Sequence, residues 1–493
     1  MPVLSSQPRV DTKESGSYYT PAGVAAALVQ WAVRKDTDTL LDPSCGDGRF
    51  VVRHANSVGV ERDGAAAAAA RQRAPSAELH EEDFFMWAER TTRRFDCAAG
   101  NPPFIRYQTF KGPVRRRALT LCAEVGAPFS GLTGSWAPFL VVTASLLCAG
   151  GRMAFVVPAS IGHAPYATPL IEYLIDRFDL VRIVAIRRKL FPRLSEDCWL
   201  LFADGFGGST DNIRFAPVEH FGEFQPGSPE QIVPVNEWRR LWNRRLRPYF
   251  LSGAERSIYQ EVAQRPDSSR LGLAASVSIG YVSGANEFFH LRPSEAARWD
   301  IPEQFLHPTV RNGRVLPART LSPDTIEEWR RSDQPMLLLR IPKDAEIPSP
   351  VRAYLDSEKG QRARQTYKCR NRNPWYSVPD VRVPAFFLTY MSGVAPSLVR
   401  NFAGATCTNA LHAVHPRNGN GRRRLLDVWD STFVQLSCEI EGHALGGGML
   451  KLEPREAARV VMPSSRTLSE LGGSNLRDAV RTLRSWRHYD AVQ

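Results

Sequence analysis

The stretch that most constrains the fold is Asn101-Pro102-Pro103-Phe104. It follows a short apolar run, Phe95-Asp96-Cys97-Ala98-Ala99, which reads as a buried strand bounded by Gly100. The tetrapeptide therefore belongs in a loop at the carboxyl end of a strand, where open α/β sheets bind their ligands. Two successive prolines remove two backbone donors and fix φ, so the loop is stiff. The carbonyls of Asn101 and Pro102, with the Asn101 side-chain amide, become acceptors at a fixed place beside an aromatic ring. That set suits an exocyclic amino group on a flat ring, with acceptors for its two protons and a face to stack on. The alternative is a proline-rich turn with an ordinary aromatic, and the preceding segments bear on the choice.

Tyr19-Thr20-Pro21 precedes an apolar-periodic segment running to Trp31. Thr20 suits an N-cap and Pro21 the first helical position. Thr39-Leu40-Leu41 then reads as a buried strand entering the turn Asp42-Pro43-Ser44-Cys45-Gly46-Asp47-Gly48. Glycines there let backbone approach a ligand closely. The turn lacks the Gly-Lys-Ser/Thr ending of a P-loop, so a nucleoside triphosphate is not indicated. A second strand, Ser57–Glu61, ends in an acid that can accept both ribose hydroxyl protons of a nucleoside. Ala65–Ala70 reads as a helix packed close to the sheet. A third strand, Ala77–His80, leads into Glu82-Asp83-Phe84, where Asp83 can accept from an adenine amino group.

Tyr-Thr-Pro, Asp-Pro-x-Cys-Gly-x-Gly, Glu, Asp-Phe and Asn-Pro-Pro-Phe, in this order and spacing, resemble the gamma-class N6-adenine DNA methyltransferases of restriction–modification systems, TaqI-like in layout. The resemblance continues through Gly150–Pro158, Leu180–Ile186 and Cys198–Phe202, which look like the family's last three strands. It implies an α/β fold: a Rossmann-like class I methyltransferase domain with a mostly parallel seven-stranded sheet, plus a C-terminal α+β target-recognition domain. The corresponding boundaries are residues 1–205 for the catalytic domain, 206–235 for a Gly- and Pro-rich linker, and 236–493 for recognition.

The resemblance also implies S-adenosyl-L-methionine as cofactor, held by Tyr19, Thr20, Pro21, Asp42, Cys45, Gly46, Gly48, Glu61, Asp83, Phe84 and Asn101. Asn101, Pro102 and Phe104 would be catalytic. Phe104 and Phe191, the latter in Lys189-Leu190-Phe191-Pro192, would stack on the target base; a plain hydrophobic anchor is the other reading of Phe191. Two departures stand out. The span from Arg49 to Val58 is short, so the helix after the glycine turn must be trimmed. Asp47 and Arg49 stand where the family usually has small or apolar residues.

The chain has 493 residues and a formal net charge of +12, with a pI of about 9.5. A basic excess points to a polyanionic partner, most often nucleic acid. Trp238–Arg245 is a basic, aromatic helix candidate that either tracks phosphates or is a solvated face. Lys368–Tyr376 concentrates cations, amides and aromatics, so Arg370, Arg372 and Trp375 are candidate DNA contacts. Asn418–Arg424 reads as a flexible basic loop in which Arg422 and Arg423 reach phosphates, or as a solvated turn. Double-stranded DNA is the expected partner, with a separate cognate restriction endonuclease as a second. The eight cysteines are scattered without a CxxC pair, so no metal site is expected and a reducing cytoplasmic setting fits. No apolar run reaches the roughly 20 residues needed to span a bilayer. Other amino methyltransferases, acting on RNA or protein glutamine, and a catalytically inactive DNA-binding module are the rival readings.

Overall fold

The computed structural model describes residues 20–191, 196–223, 229–445, 447–471 and 473–488. Tyr19 and Pro192 lie outside them. Two compact units divide between Phe250 and Leu251.

The first unit is built on a nine-stranded sheet in the order β3-β2-β1-β4-β5-β7-β6-β8-β9. Its strands are β1 Leu40–Asp42, β2 Ser57–Glu61, β3 Glu78–Glu81, β4 Phe95–Gly100, β5 Leu147–Pro158, β6 Phe178–Ile186, β7 Cys198–Phe206, β8 Asn212–Val218 and β9 Gln231–Pro234. β1 to β5 run parallel; β7 is antiparallel to both β5 and β6. β1 is short, and all three of its residues are buried. It pairs with β2 on one side and β4 on the other, so the strand order reverses at β1. Such a reversal opens a crevice at the carboxyl ends of the two central strands.

Seven strands follow the implied pattern, and two more extend the sheet. Residues 206–235, expected as a linker, carry β8 and β9. The Gly- and Pro-rich composition hides an alternation in which Ile213, Phe215 and Val233 turn inward. The Glu230 carboxylate ties this edge to β6 by accepting from Arg182 Nε (2.8 Å) and Arg214 Nη1 (2.6 Å). The unit boundary also falls later than residue 236. Trp238 and Trp242 are buried in the first unit, while Arg239 and Arg244 both donate to Glu172. The basic helix candidate is thus an anchor, and those two arginines are engaged within the protein.

The alanine helix, Gly64–Arg73, buries Ala67 and Ala70. The Asp63 carboxylate caps it by accepting from Ala66 N–H at 2.9 Å.

The second unit is α+β. Its five-stranded sheet runs Ala275–Ile279, Leu411–Pro416, Phe386–Thr389, Leu398–Asn401, Thr320–Leu321. Alternate residues feed two cores: Phe387 and Val399 enter one, Phe386 and Leu388 the other. Both faces of this sheet are therefore covered. Among the described residues no helix is long and apolar enough to cross a membrane, and no cluster of His, Cys, Asp and Glu could hold a metal.

Candidate active site

A cavity of about 270 Å³ lies at the carboxyl ends of β1 to β4. Each strand contributes to its wall through the residues that follow it. After β1 the chain makes the glycine turn, fixed by Cys45 N–H to Val60 O (3.0 Å) and Gly48 N–H to Cys45 O (2.8 Å). Gly48 has φ +86°, and a Cβ there would come within 3.1 Å of Ala70 Cα. The small residues of the alanine helix and this glycine thus account for each other. Gly46 has φ +53°, and a Cβ there would meet nothing within 4 Å, so the turn opens on empty space.

Glu61 ends β2. Its Oε2 accepts from Gly46 N–H (3.0 Å) and its Oε1 from Asp63 N–H (2.9 Å). Each carboxylate oxygen has a further lone pair, so the group braces the turn and retains acceptor capacity. Asp83 follows β3 and caps the helix Phe84–Arg90, its Oδ1 accepting from Phe85 N–H (3.1 Å) and Met86 N–H (3.2 Å). Phe84 is buried and stacks on Phe139, with centroids 5.1 Å apart.

Past β4 the diproline loop is latched by a residue that the sequence motifs do not flag. Ser135 Oγ donates to Pro103 O and accepts from Ile105 N–H (3.0 Å), and Ser135 N–H donates to Ile105 O (3.0 Å). Gly134 beside it permits the approach, because a Cβ there would lie 2.7 Å from Ile105 O. Ser135 precedes the helix Trp136–Ser145 but makes no capping bond with its side chain; the hydroxyl serves the loop instead. A Gly-Ser pair before an apolar helix was the available signal. Ser44 Oγ donates to Asn101 O at 3.4 Å, linking the diproline loop to the glycine turn.

Thr20, Cys45, Gly46, Glu61, Asp83, Phe84 and Asn101 all line the cavity. Pro21, Asp42, Gly48, Pro102 and Phe104 do not. Thr20 is buried and is not the N-cap; that place falls to Pro21, whose carbonyl accepts from Val24 and Ala25 N–H. Phe104 packs against the apolar cluster that contains the buried Phe191, and neither lines the cavity. Asp42 is fully buried beneath the turn. One oxygen accepts from Ser44 N–H (3.1 Å), and its Oδ2 is buried without a partner. Burial pushes its pKa up to about 8; the Ser44 bond opposes the shift and the Glu61 charge adds to it. Burial, reinforced by Asp42 and Glu61, raises the Cys45 thiol as well, so it is held as an inert packing group against Val51, Ala70 and Ala74.

The two departures at the glycine turn also have a structural account. The following helix is reduced to a three-residue 3-10 turn, Val51–Arg53. Asp47, largely buried, receives Arg49 Nε (3.2 Å) and Arg73 Nη1 (2.5 Å), while Arg49 Nη1 donates to Thr20 O (3.0 Å).

The second unit treats its candidates differently. Arg372 is half-buried and donates to the carbonyls of Ser283 (2.5 Å) and Val282. Trp375 packs on Phe288 and Phe289, with centroids 5.5 and 6.5 Å away. Both are partly buried and engaged within the fold. Arg422 and Arg423 are exposed but sit on the helix Gly419–Val428, capped by Asn418, and not on a flexible loop. Arg370 is exposed at the end of the short helix Tyr367–Arg370.

Residues 243–493 match the family model for the C-terminal domain of the type II methyltransferase M.Eco57I. The chain belongs to this family. Residues 60–191 match the Eco57I restriction-modification methylase model and residues 3–70 the N-6 DNA methylase model. The chain is similar to the type II methyltransferase M.XamI of Xanthomonas campestris pv. amaranthicola, 24% identical over 92% of this chain and 86% of that one. It is likewise similar to M.AccI of Acinetobacter calcoaceticus, 19% identical over 91% and 85%. The type IIL restriction-modification enzyme MmeI, solved in complex with DNA, shares the fold with a TM-score of 0.54 at 13% identity, over 94% of this chain and 71% of that one. The chain is a DNA adenine-N6 methyltransferase of restriction–modification type.

Proposed function

We propose that the cavity holds S-adenosylmethionine and that the diproline loop presents a flipped-out adenine of duplex DNA to it. The observation that carries this reading is the convergence of Gly46, Glu61, Asp83 and Asn101 on one cavity at the strand-order reversal. The open space over Gly46, at the wall of this cavity, fits a bound ligand approaching the turn backbone. Glu61 would take the ribose hydroxyls, Asp83 and Phe84 the adenine, and Thr20, Cys45 and the glycine turn the remainder. When bound, the cofactor supplies a methyl group on a sulfonium whose sulfur departs with the bonding pair.

The protein's own task is placement. The Asn101 side-chain oxygen and the Pro102 carbonyl would accept the two amino protons. That leaves the nitrogen lone pair out of the ring's conjugation and free to attack; as the N–C bond forms and the S–C bond breaks, the nitrogen becomes cationic and would release one of its two protons to solvent. Phe104 and Phe191, already in one apolar cluster, would give the extruded base a face to stack on. Latching by Ser135 and Ser44 keeps the acceptors from drifting. The second unit would recognise the target sequence, with Arg370, Arg422 and Arg423 on the phosphates. A cognate endonuclease acting on the same sequence would be its counterpart, and the enzyme would work in the cytoplasm beside the chromosome.

The test is to incubate the pure protein with unmethylated genomic DNA and S-adenosylmethionine, then map modified bases by single-molecule sequencing. N6-methyladenine confined to one recurring sequence is the expected result. Methylation of RNA or of a glutamine peptide in its place would overturn the reading.

A further inference from the structure

We infer that Arg49, braced by Asp47, pairs with the α-carboxylate at the amino-acid end of the cofactor. The inference rests on the cofactor reading above and adds to it a contact at the amino-acid end. Strand order sets the direction in which the ligand lies. Neighbouring strands are about 4.8 Å apart. Asp83 stands at the end of β3, Glu61 at β2, and Asn101 at β4. With the nucleoside over β3 and β2 and the reacting methyl near β4, the amino-acid tail falls at β1, on the far side of Gly46. The residues that follow β1 and line the cavity include Ser44, Cys45, Asp47, Arg49 and Phe50.

A carboxylate at that place needs positive charge. In an α/β sheet the usual source is the N-terminus of the helix after the glycine turn, with its unpaired N–H groups. Here that helix is only the 3-10 turn Val51–Arg53, too short to supply an aligned row of peptide dipoles. The ion cluster stands in its stead. Asp47 carries one negative charge against two positive ones, Arg49 and Arg73, so the group holds a net positive charge. Asp47 fixes one edge of the Arg49 guanidinium and the Thr20 carbonyl another, so the side chain is held in place at the cavity it lines. Of the other cations on that wall, Arg62 follows Glu61 at the nucleoside end and Lys111 lies beyond the diproline loop. Arg49 borders the turn. Arg49 would touch the cofactor; Asp47 is a positioning residue.

The experiment is calorimetric titration of the full chain with S-adenosylhomocysteine and with 5′-methylthioadenosine, which keeps the nucleoside thioether and lacks the amino-acid end. Arg49→Met should weaken S-adenosylhomocysteine about 10- to 100-fold, as expected for loss of a charge-assisted pair. It should change methylthioadenosine by less than about twofold. Asp47→Asn should give a smaller loss, again confined to S-adenosylhomocysteine. Equal weakening of both ligands by Arg49→Met, or no weakening, overturns the inference. Should that variant not fold, the wild-type protein decides: at least about tenfold preference for S-adenosylhomocysteine over its carboxyl methyl ester supports the contact, and equal affinity overturns it. Wild-type protein that binds none of these ligands would instead overturn the cofactor reading itself.

Discussion

The two units use their polar side chains in opposite ways. In the first, parallel strands end on one edge, and residues at or just after each end reach the same cavity: the glycine turn, Glu61, Asp83 and Asn101. In the second, the cationic and aromatic run around residue 370 turns partly inward. Arg372 donates to the Val282 and Ser283 carbonyls and Trp375 packs against an apolar core. The lesson concerns what a motif encodes. At a parallel strand end, backbone topology dictates where the next side chain points. On an α+β unit with both sheet faces covered, residue type alone does not separate a reader of bases from a support of the fold.

The largest effect that would break this contrast is at Asn101. Asn101→Ala should lower the methyl-transfer rate by about 10²-fold or more, the scale for removing one preorganised polar contact to a reacting group. S-adenosylhomocysteine affinity should change far less. A rate near wild type in a filter-binding assay with labelled cofactor would remove the distinction between the diproline loop and an ordinary turn.

Asp42 sharpens the same side of the comparison through pH. Its carboxyl stays protonated in the fold up to about pH 8, whereas in the unfolded chain it ionises near pH 4. The unfolded state therefore loses this proton first. Stability from this group is full below about pH 4, falls as pH climbs, and levels off above about 8. Asp42→Asn removes the dependence. Its denaturation midpoint relative to wild type should rise from pH 5 to pH 8; a constant difference would show that Asp42 ionises normally.

How much was legible follows the same division. The glycine turn, the acids after β2 and β3, and the diproline loop could be placed because short apolar runs bounded by turn residues mark buried parallel strands. The trimmed helix was visible as a short spacing. β8 and β9 were not, because Gly and Pro flank them and the inward Ile213 and Phe215 alternate with polar neighbours. Ser135 escaped because its work is tertiary: it bonds a loop 30 residues upstream. The intramolecular contacts of Arg372 and Trp375 are not legible, because a guanidinium satisfies buried carbonyls as readily as it reads guanine, and sequence does not say which is nearer.

Arg372 gives the next prediction. Arg372→Ala removes bonds to the Ser283 and Val282 carbonyls and should destabilise the second unit by about 1.5–3 kcal/mol, the range for hydrogen bonds from a charged group. Urea titration followed by tryptophan fluorescence measures this. DNA affinity of the folded fraction should hold within a few-fold. Lost DNA binding at unchanged stability would return Arg372 to the interface and blur the contrast.

The smallest effects are expected at the exposed cations. Arg423 lies 3.8 Å from Asp427 with both side chains well solvated, a pair worth little to the fold. Arg422→Ala, Arg423→Ala and Arg370→Ala should each leave stability within about 0.5 kcal/mol. If these side chains meet phosphates, each neutralisation releases about one counterion less on binding. The slope of log affinity against log salt should then become shallower by about 1 per substitution, uniformly across DNA sequences. A slope unchanged in all three would mean that the second unit shows its DNA some other surface. A loss confined to one sequence would make that arginine a base reader, a role so far given to none of the three.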